Sequence, residues 1–198
     1  SPGKYKDING SSACVSCGTG KYSSNFAASS ALACISCPDF SDSPMASTDV
    51  SNCSCNAGYS PDGLTCHACP AGSFKNESGS KSCSPCETST YTSFSSETAC
   101  YACPQNSWSA VGSISQDSCL CAAGYYMGGG PFYCTACLPG TYKPNLGSHD
   151  CFQCPAGMFA NFSGATQCIS CPASSMSLDG SALSVDCKCN LGYSGSSL

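Results

Sequence analysis

Residues 53–86 read "CSCNAGYSPDGLTCHACPAGSFKNESGSKSCSPC" and place six cysteines in 34 positions. Cys53 and Cys55 stand one residue apart, Gly58-Tyr59 follows, and Cys66 opens a wider doublet with Cys69. The theme returns as "CLCAAGYYMGGGPFYC" from Cys119 to Cys134 and begins again as "CKCNLGYSG" at Cys187. A stretch this dense in cysteine, punctuated by Gly, Pro and Ser, has no room for a helix or a long strand between its cross-links.

Working outward, every cysteine belongs to a doublet. Eight are C-x-x-C: Cys14/Cys17, Cys34/Cys37, Cys66/Cys69, Cys83/Cys86, Cys100/Cys103, Cys134/Cys137, Cys151/Cys154 and Cys168/Cys171. Three are C-x-C: Cys53/Cys55, Cys119/Cys121 and Cys187/Cys189. Cys86 lies 69 residues after Cys17, and Cys154 lies 68 after Cys86. Self-similarity at a fixed period is the signature of a repeat array, in which each unit touches mainly its neighbours. The expected units are 1–69 (modules 1–17, 18–37, 38–69), 70–137 (70–86, 87–103, 104–137) and a truncated 138–198 (138–154, 155–171, 172–198). Most short modules have the form P-x-G-x-aromatic, a polar turn, then C-x-x-C, as in "PGTYKPNLGSHDCFQC". Two depart from it: "CETSTY" lacks P-x-G at Glu87 to Ser89, and Gly18 replaces the proline.

Composition sets the energetic problem. Leu, Ile, Val and Phe together number 25 of 198 residues, well under the roughly 20% at which globular folding becomes doubtful. Ordering the backbone costs about 1–2 kcal/mol per residue, which so few large side chains cannot offset. Cysteine instead makes up 22 residues, the density of a disulfide scaffold. The chain carries a net charge of −5, with seven lysines and no arginine. Lys4, Lys6, Lys21, Lys75, Lys81, Lys143 and Lys188 are scattered, not clustered as a phosphate-binding surface requires. No nucleic-acid partner is expected. No apolar run approaches the roughly 18–20 residues of a membrane span, and "SPGKYKDING" is not a signal peptide. Disulfides need an oxidising compartment, so an export signal is expected to have been removed or to lie upstream.

Connectivity is not provable from sequence, but spacing narrows it. A bridge inside each C-x-x-C is possible, although it is strained and joins nothing distant. The economical alternative is a ladder in which the second cysteine of each doublet pairs with the first of the next. It gives Cys17–Cys34, Cys37–Cys53, Cys55–Cys66, Cys69–Cys83, Cys86–Cys100, Cys103–Cys119, Cys121–Cys134, Cys137–Cys151, Cys154–Cys168 and Cys171–Cys187. A loop near 15 residues contributes about 3 kcal/mol in the chain-entropy model. Cys14 and Cys189 are left over, with partners expected outside residues 1–198, so that the chain reads as an internal piece of a longer repeat protein. One module aromatic each (Tyr5, Tyr22, Phe74, Tyr91, Tyr142, Phe159) and the Gly-Tyr tyrosines (Tyr59, Tyr125, Tyr193) are expected to pack on the neighbouring bridges, with Gly58, Gly124 and Gly192 permitting the turn.

Cys14, Cys17, Cys34 and Cys37 have a spacing that zinc ribbons also use; the interleaved C-x-C doublets and the cysteine density favour disulfides. His67 and His149 do not recur between units and sit beside no nucleophile, so no catalytic residue, metal or cofactor is expected. The carboxylates form no calcium-type run. Asn9, Asn52, Asn76 and Asn161 each open an N-x-S/T sequon. Asn76 and Asn161 occupy the same position of the same module type, and Asn52 abuts an expected bridge.

C-x-C-x-x-Gly-Tyr followed by a further cysteine is similar to the closing half of an epidermal-growth-factor-like module, in which the first cysteine pairs backward and the second forward. Taken with "CPQNSWSAVGSISQDSCLCAAGYY" (Cys103–Tyr126), the opening stretch resembles the cysteine-rich segment of Eph receptor ectodomains, akin to the tumour-necrosis-factor-receptor ladder and to repeats of large protist and algal surface proteins. The resemblance extends over the whole chain. It implies a rigid spacer; nothing here matches an ephrin-binding domain or a kinase, so neither activity carries over. The expected fold is an elongated rod of small disulfide-rich repeats, mostly irregular, with two-stranded ribbons of three or four residues and almost no helix. The expected function is a non-enzymatic building block of a glycosylated extracellular fibre or appendage such as a mastigoneme, its partners being copies of itself, other fibre proteins and glycans. The alternative is the stalk or ligand-binding region of a cell-surface receptor; an enzyme accessory region comes third.

Overall fold

A computed structural model of the chain describes residues 1–128, 130 and 133–193. It divides into two compact units. One comprises Ser1–Glu87, Tyr91–Tyr101 and Val111–Ile114; the other comprises Thr88–Thr90, Ala102–Ala110 and Ser115–Leu198.

Both units are built from one element, a two-stranded antiparallel ribbon, which occurs eleven times among the described residues. Most strands are only two residues long, as in Lys4–Tyr5 with Val15–Ser16 and Met158–Phe159 with Ile169–Ser170. The second strand of each short ribbon lies between or ends on the cysteines of a doublet, so the doublet spacing caps its length. Ribbons lengthen only where the C-x-C doublet releases the chain. Tyr59–Asp62 pairs with Thr65–Ala68, and Tyr125–Met127 with Cys134–Ala136. No α-helix occurs among the described residues. Single 3₁₀ turns at Ala31–Ala33, Val50–Asn52, Gln116–Ser118 and Ser184–Asp186 each deliver the first cysteine of a doublet. This is a small disulfide-rich repeat fold.

Ten disulfides run in chain order. In the first unit they are Cys17–Cys34, Cys37–Cys53, Cys55–Cys66, Cys69–Cys83 and Cys86–Cys100. The second unit holds Cys103–Cys119, Cys121–Cys134, Cys137–Cys151, Cys154–Cys168 and Cys171–Cys187. Eight join the residue after one ribbon's second strand to the residue before the next ribbon's second strand, whereas Cys55–Cys66 and Cys121–Cys134 start and end within strands. Every doublet between Cys34/Cys37 and Cys168/Cys171 is thereby tied both backward and forward. Cys14 and Cys189 are free thiols on exposed residues.

Between the rungs the ribbons are joined by main-chain hydrogen bonds that repeat the same three steps. In the first unit Gly72 N–H donates to Thr92 O (3.1 Å), Cys86 N–H to Gly72 O (2.8 Å) and Gly112 N–H to Cys86 O (2.8 Å). The second unit repeats this with Gly140 to Ala160 O (2.8 Å), Cys154 to Gly140 O (2.9 Å) and Gly180 to Cys154 O (2.8 Å). What is buried is therefore mostly backbone, cysteine and small side chains: Cys17, Cys69, Cys86, Cys121, Cys137 and Cys154, with Ser23, Thr92, Ser109 and Ala160. Phe159 is the one large apolar side chain buried among the described residues, whereas Leu32, Phe26, Phe94 and Leu178 stand in solvent. The poverty of the sequence in Leu, Ile, Val and Phe thus matches an interior that does not use them. The aromatics mostly cover the ribbons from their flanks, as in Tyr91 against Tyr101 and Tyr142 against Phe152, both with ring centroids 6.0 Å apart.

The three-step pattern needs a residue with positive φ ahead of each ribbon, usually Gly. In the departing module "CETSTY" that residue is Ser89, held at φ 62°. Ser89 N–H still donates to Ser109 O, and its own carbonyl accepts from Cys103 N–H, both at 2.9 Å. The missing glycine costs conformational strain and no contact. Ser89→Gly is therefore expected to raise the urea unfolding midpoint, stabilising by about 0.5–1 kcal/mol, since an L-residue pays in the left-handed region.

Candidate functional site

Seven scattered lysines gave no site by charge, but two of them are deeply placed by position. Lys75 follows Phe74 at the end of its strand and is 5% exposed; Lys143 follows Tyr142 and is fully buried. Fully burying an ammonium group is expensive unless each N–H finds an acceptor. Here each is surrounded by main-chain carbonyls.

In the first unit Lys75 Nζ donates to Tyr59 O (2.7 Å), Gly79 O (2.6 Å) and Cys55 O (3.2 Å). In the second, Lys143 Nζ donates to Tyr125 O (2.6 Å), Gly147 O (2.5 Å), Cys121 O (3.1 Å) and Ala122 O (3.4 Å). Burial pulls both ammonium groups below the usual lysine range, while the ring of carbonyl oxygens fits the charged form that carries three N–H donors. The acceptors come from two directions. Gly79 and Gly147 lie four residues downstream in the same loop, while Cys55, Tyr59, Cys121 and Tyr125 belong to the preceding C-x-C and Gly-Tyr elements. Each lysine therefore staples its module to the C-x-C and Gly-Tyr elements before it.

Main-chain bonds close the same contact. Gly58 N–H donates to Lys75 O and Gly124 N–H to Lys143 O, both at 2.8 Å. Gly79 N–H donates to Cys55 O (2.8 Å) and Gly147 N–H to Cys121 O (2.9 Å). The glycine of Gly-Tyr is required twice over. Its φ is 82° at Gly58 and 80° at Gly124, and an added Cβ would stand 2.3 Å from Ser96 O or from Gly164 O respectively. Close approach of two backbones, besides the turn itself, is what these glycines permit.

The signal for this site is in the sequence, although charge clustering does not find it. The motif Lys-x-x-x-Gly-Ser-x-x-Cys occurs at Lys6–Cys14, Lys75–Cys83 and Lys143–Cys151, spaced by 69 and 68 residues. Lysine at the repeat period is a positional signal.

The other singled-out residues lie apart from it. His67 is exposed on the Thr65–Ala68 strand, with Nε2 3.2 Å from Thr65 Oγ1 and 3.9 Å from Asp62 Oδ2. His149 Nδ1 is 3.0 Å from Asp150 O, and its ring leans on Phe152 at 5.3 Å. The sequon asparagines Asn9, Asn52, Asn76 and Asn161 are all exposed. Asn76 and Asn161 follow directly on the buried Lys75 and Ala160, so their side chains leave the surface from a fixed backbone. Asn52 is occupied locally: its Oδ1 accepts from the N–H groups of Thr48 (3.0 Å) and Asp49 (3.1 Å). Tyr59 stacks on Phe40, with centroids 4.3 Å apart and planes 7° from parallel.

This arrangement offers paired backbone surfaces and locked junctions. The family model described as "Tyrosine-protein kinase ephrin type A/B receptor-like" matches residues 58–99 and 124–171. Each matched segment starts at the Gly-Tyr glycine and contains the buried lysine. No curated protein sequence matches the chain. No helix among the described residues is long and apolar enough to cross a membrane. Disulfides in this number belong to an oxidising compartment, and with the matched repeats they make this an extracellular region of structural or receptor-like type. Ten disulfides in tandem order and the two matched segments show that the chain carries ephrin-receptor-like cysteine-rich repeats over residues 58–99 and 124–171.

Proposed function

We propose that the chain is a non-catalytic building block of a glycosylated extracellular fibre or surface appendage of the mastigoneme type. The observation that carries this reading is the recurrence of one junction in both units: the caged lysine, the close-packed glycine and the same main-chain bonds at Lys75/Gly58 and Lys143/Gly124. A junction made of backbone and cross-links holds its geometry without demanding any particular surface side chain. Equivalent surfaces then recur along the chain, which suits repeated contacts between copies. Its partners on this reading are copies of itself, other fibre proteins and the glycans it bears; neither nucleic acid nor membrane insertion has a part.

Exposed Asn76 and Asn161 are the proposed glycan carriers, with Asn9 next and Asn52 least suited because its amide oxygen caps the turn before Cys53. Protein secreted from a eukaryotic host and imaged by negative stain is expected to form end-to-end or laterally joined particles. Its peptides spanning Asn76 and Asn161 are expected to lose glycan mass on enzymatic deglycosylation. Dispersed single particles, with unmodified peptides, would refute the fibre reading. That outcome would favour the receptor-stalk reading, which rests on the family match itself.

A further inference from the structure

In each short ribbon the module aromatic stands opposite a residue of the second strand, and directly paired residues share one face of a ribbon. Tyr5 faces Val15, Tyr22 faces Ile35, Tyr142 faces Phe152 and Phe159 faces Ile169. Tyr91 has the ring of Tyr101, with centroids 6.0 Å apart. Phe74 breaks the pattern, because it faces Ser84. A serine covers little of a phenyl ring. Phe74 therefore lacks the apolar cross-strand partner that its five counterparts have.

Beside it lies a cavity of about 310 Å³, lined by Phe74, Asn76, Ser78, Ser80, Ser82 and Ser84 among others. That is the small end of the range for ligand sites, and its lining sets one aromatic ring among hydroxyls. Such a lining suits a sugar. The C–H face of a pyranose rests on the electron-rich face of the ring, and its hydroxyls exchange hydrogen bonds with serines. Two of the lining residues, Asn76 and Ser78, are the sequon itself. Side chains alternate along an extended chain, so Asn76 returns to the side of Phe74 while Lys75 between them turns to the interior.

The second unit holds an internal contrast. Phe159, Asn161 and Ser163 repeat the same spacing of aromatic, asparagine and serine. There, however, Ile169 lies across the ribbon, and Phe159 is only 6% exposed. A glycan on Asn161 finds no open ring to rest on.

We propose that the cavity beside Asn76 seats the first sugar of its glycan, an N-acetylhexosamine that lies on Phe74 in place of the missing cross-strand side chain. This rests on the reading of Asn76 as a glycan carrier and adds what the glycan does there. In the attachment, Asn76 Nδ2 bonds to the anomeric carbon of an oligosaccharide carried on a polyprenyl diphosphate. The anomeric C–O bond breaks, the diphosphate leaves with the electron pair, and Nδ2 gives up one proton. The seated sugar is then part of the ribbon, whereas one on Asn161 is a surface appendage.

The test uses the full chain secreted from a eukaryotic host, its glycans trimmed by endoglycosidase to a single N-acetylhexosamine. Peptide mass mapping gives the occupancy of Asn76, and native-state hydrogen exchange gives the opening constant of the ribbon around Phe74. Asn76→Gln is expected to raise that constant about two- to fivefold, the range of a good cross-strand pair. Ser78→Ala, which removes the sequon and keeps the asparagine, is expected to do the same. Asn161→Gln leaves the ribbon around Phe159 unchanged. Ser84→Ile supplies the partner that the sister ribbons have, so in that background Asn76→Gln has no effect. An occupied Asn76 whose loss changes nothing overturns the seat and leaves the glycan reading standing. A loss of equal size in the Ser84→Ile background also overturns the seat, because the sugar then acts away from the ring. An unmodified Asn76 overturns both.

Discussion

Reduction of the ten disulfides is expected to abolish the fold of both units at a temperature where the oxidised chain is fully ordered. The bridges close sequence separations of 11 to 17 residues, each contributing about 3 kcal/mol in the chain-entropy picture. A domain's whole stability is about 5–15 kcal/mol, so losing a few rungs within one unit removes all of it. No alternative source of stability takes over, because the buried residues are mostly the cysteines themselves, small side chains and backbone. The measurement is limited proteolysis with near-ultraviolet circular dichroism before and after reduction, followed through Trp108 and the tyrosines. Removing one rung, as in Cys121→Ser/Cys134→Ser, is expected to cost about 2–5 kcal/mol and to open cleavage sites around the Gly124–Tyr125 turn before others. A reduced chain that kept its protease resistance would show that packing, not cross-linking, holds the repeats.

Lys143→Met is expected to be the most damaging single substitution of a charged residue, costing about 2–4 kcal/mol. Methionine keeps much of the length of the side chain, so packing is largely preserved and the loss isolates the ammonium. That group donates to Cys121, Ala122, Tyr125 and Gly147, and it is fully buried. Without it the carbonyls face one another across a dry space, and the second unit loses the staple between its Thr141–Tyr142 ribbon and the preceding C-x-C and Gly-Tyr elements. Lys75→Met should have a similar effect in the first unit, where three carbonyls converge. Lys21→Met, on an exposed lysine, should stay within about 0.5 kcal/mol of the parent. Urea unfolding of the three variants gives the comparison. Equal midpoints for Lys143→Met and Lys21→Met would mean that the cage is decorative.

The contrast between these two predictions marks what could be read in advance. Cysteine reports its own role: doublets in a fixed order, at a 68-residue period, in a chain short of Leu, Ile, Val and Phe, point to a disulfide-rich repeat of two-stranded ribbons. The resemblance to ephrin-receptor-like repeats rests on the same C-x-C and Gly-Tyr spacing. Strand length was read too generously. Ribbons of three or four residues occur only around Tyr59 and Tyr125, because elsewhere the doublet encloses the second strand and leaves room for two. Gly58 and Gly124 were legible as turns, but not as places where backbones touch, since the Ser96 and Gly164 carbonyls they approach lie some 40 residues on.

By itself, then, the sequence determined the class of the fold, its repeat and its dependence on an oxidising environment, because cysteine spacing and composition are local, countable properties. Only the tertiary structure decided that Lys75 and Lys143 are interior residues, and that Ser23, Thr92 and Ala160, which also follow a module aromatic, are buried with them. The physical reason is distance along the chain. A lysine's acceptors at Cys121 and Tyr125 are 22 and 18 residues away, and nothing in the local pattern brings them together. They converge only once the rungs and the main-chain bonds have stacked one ribbon on the next.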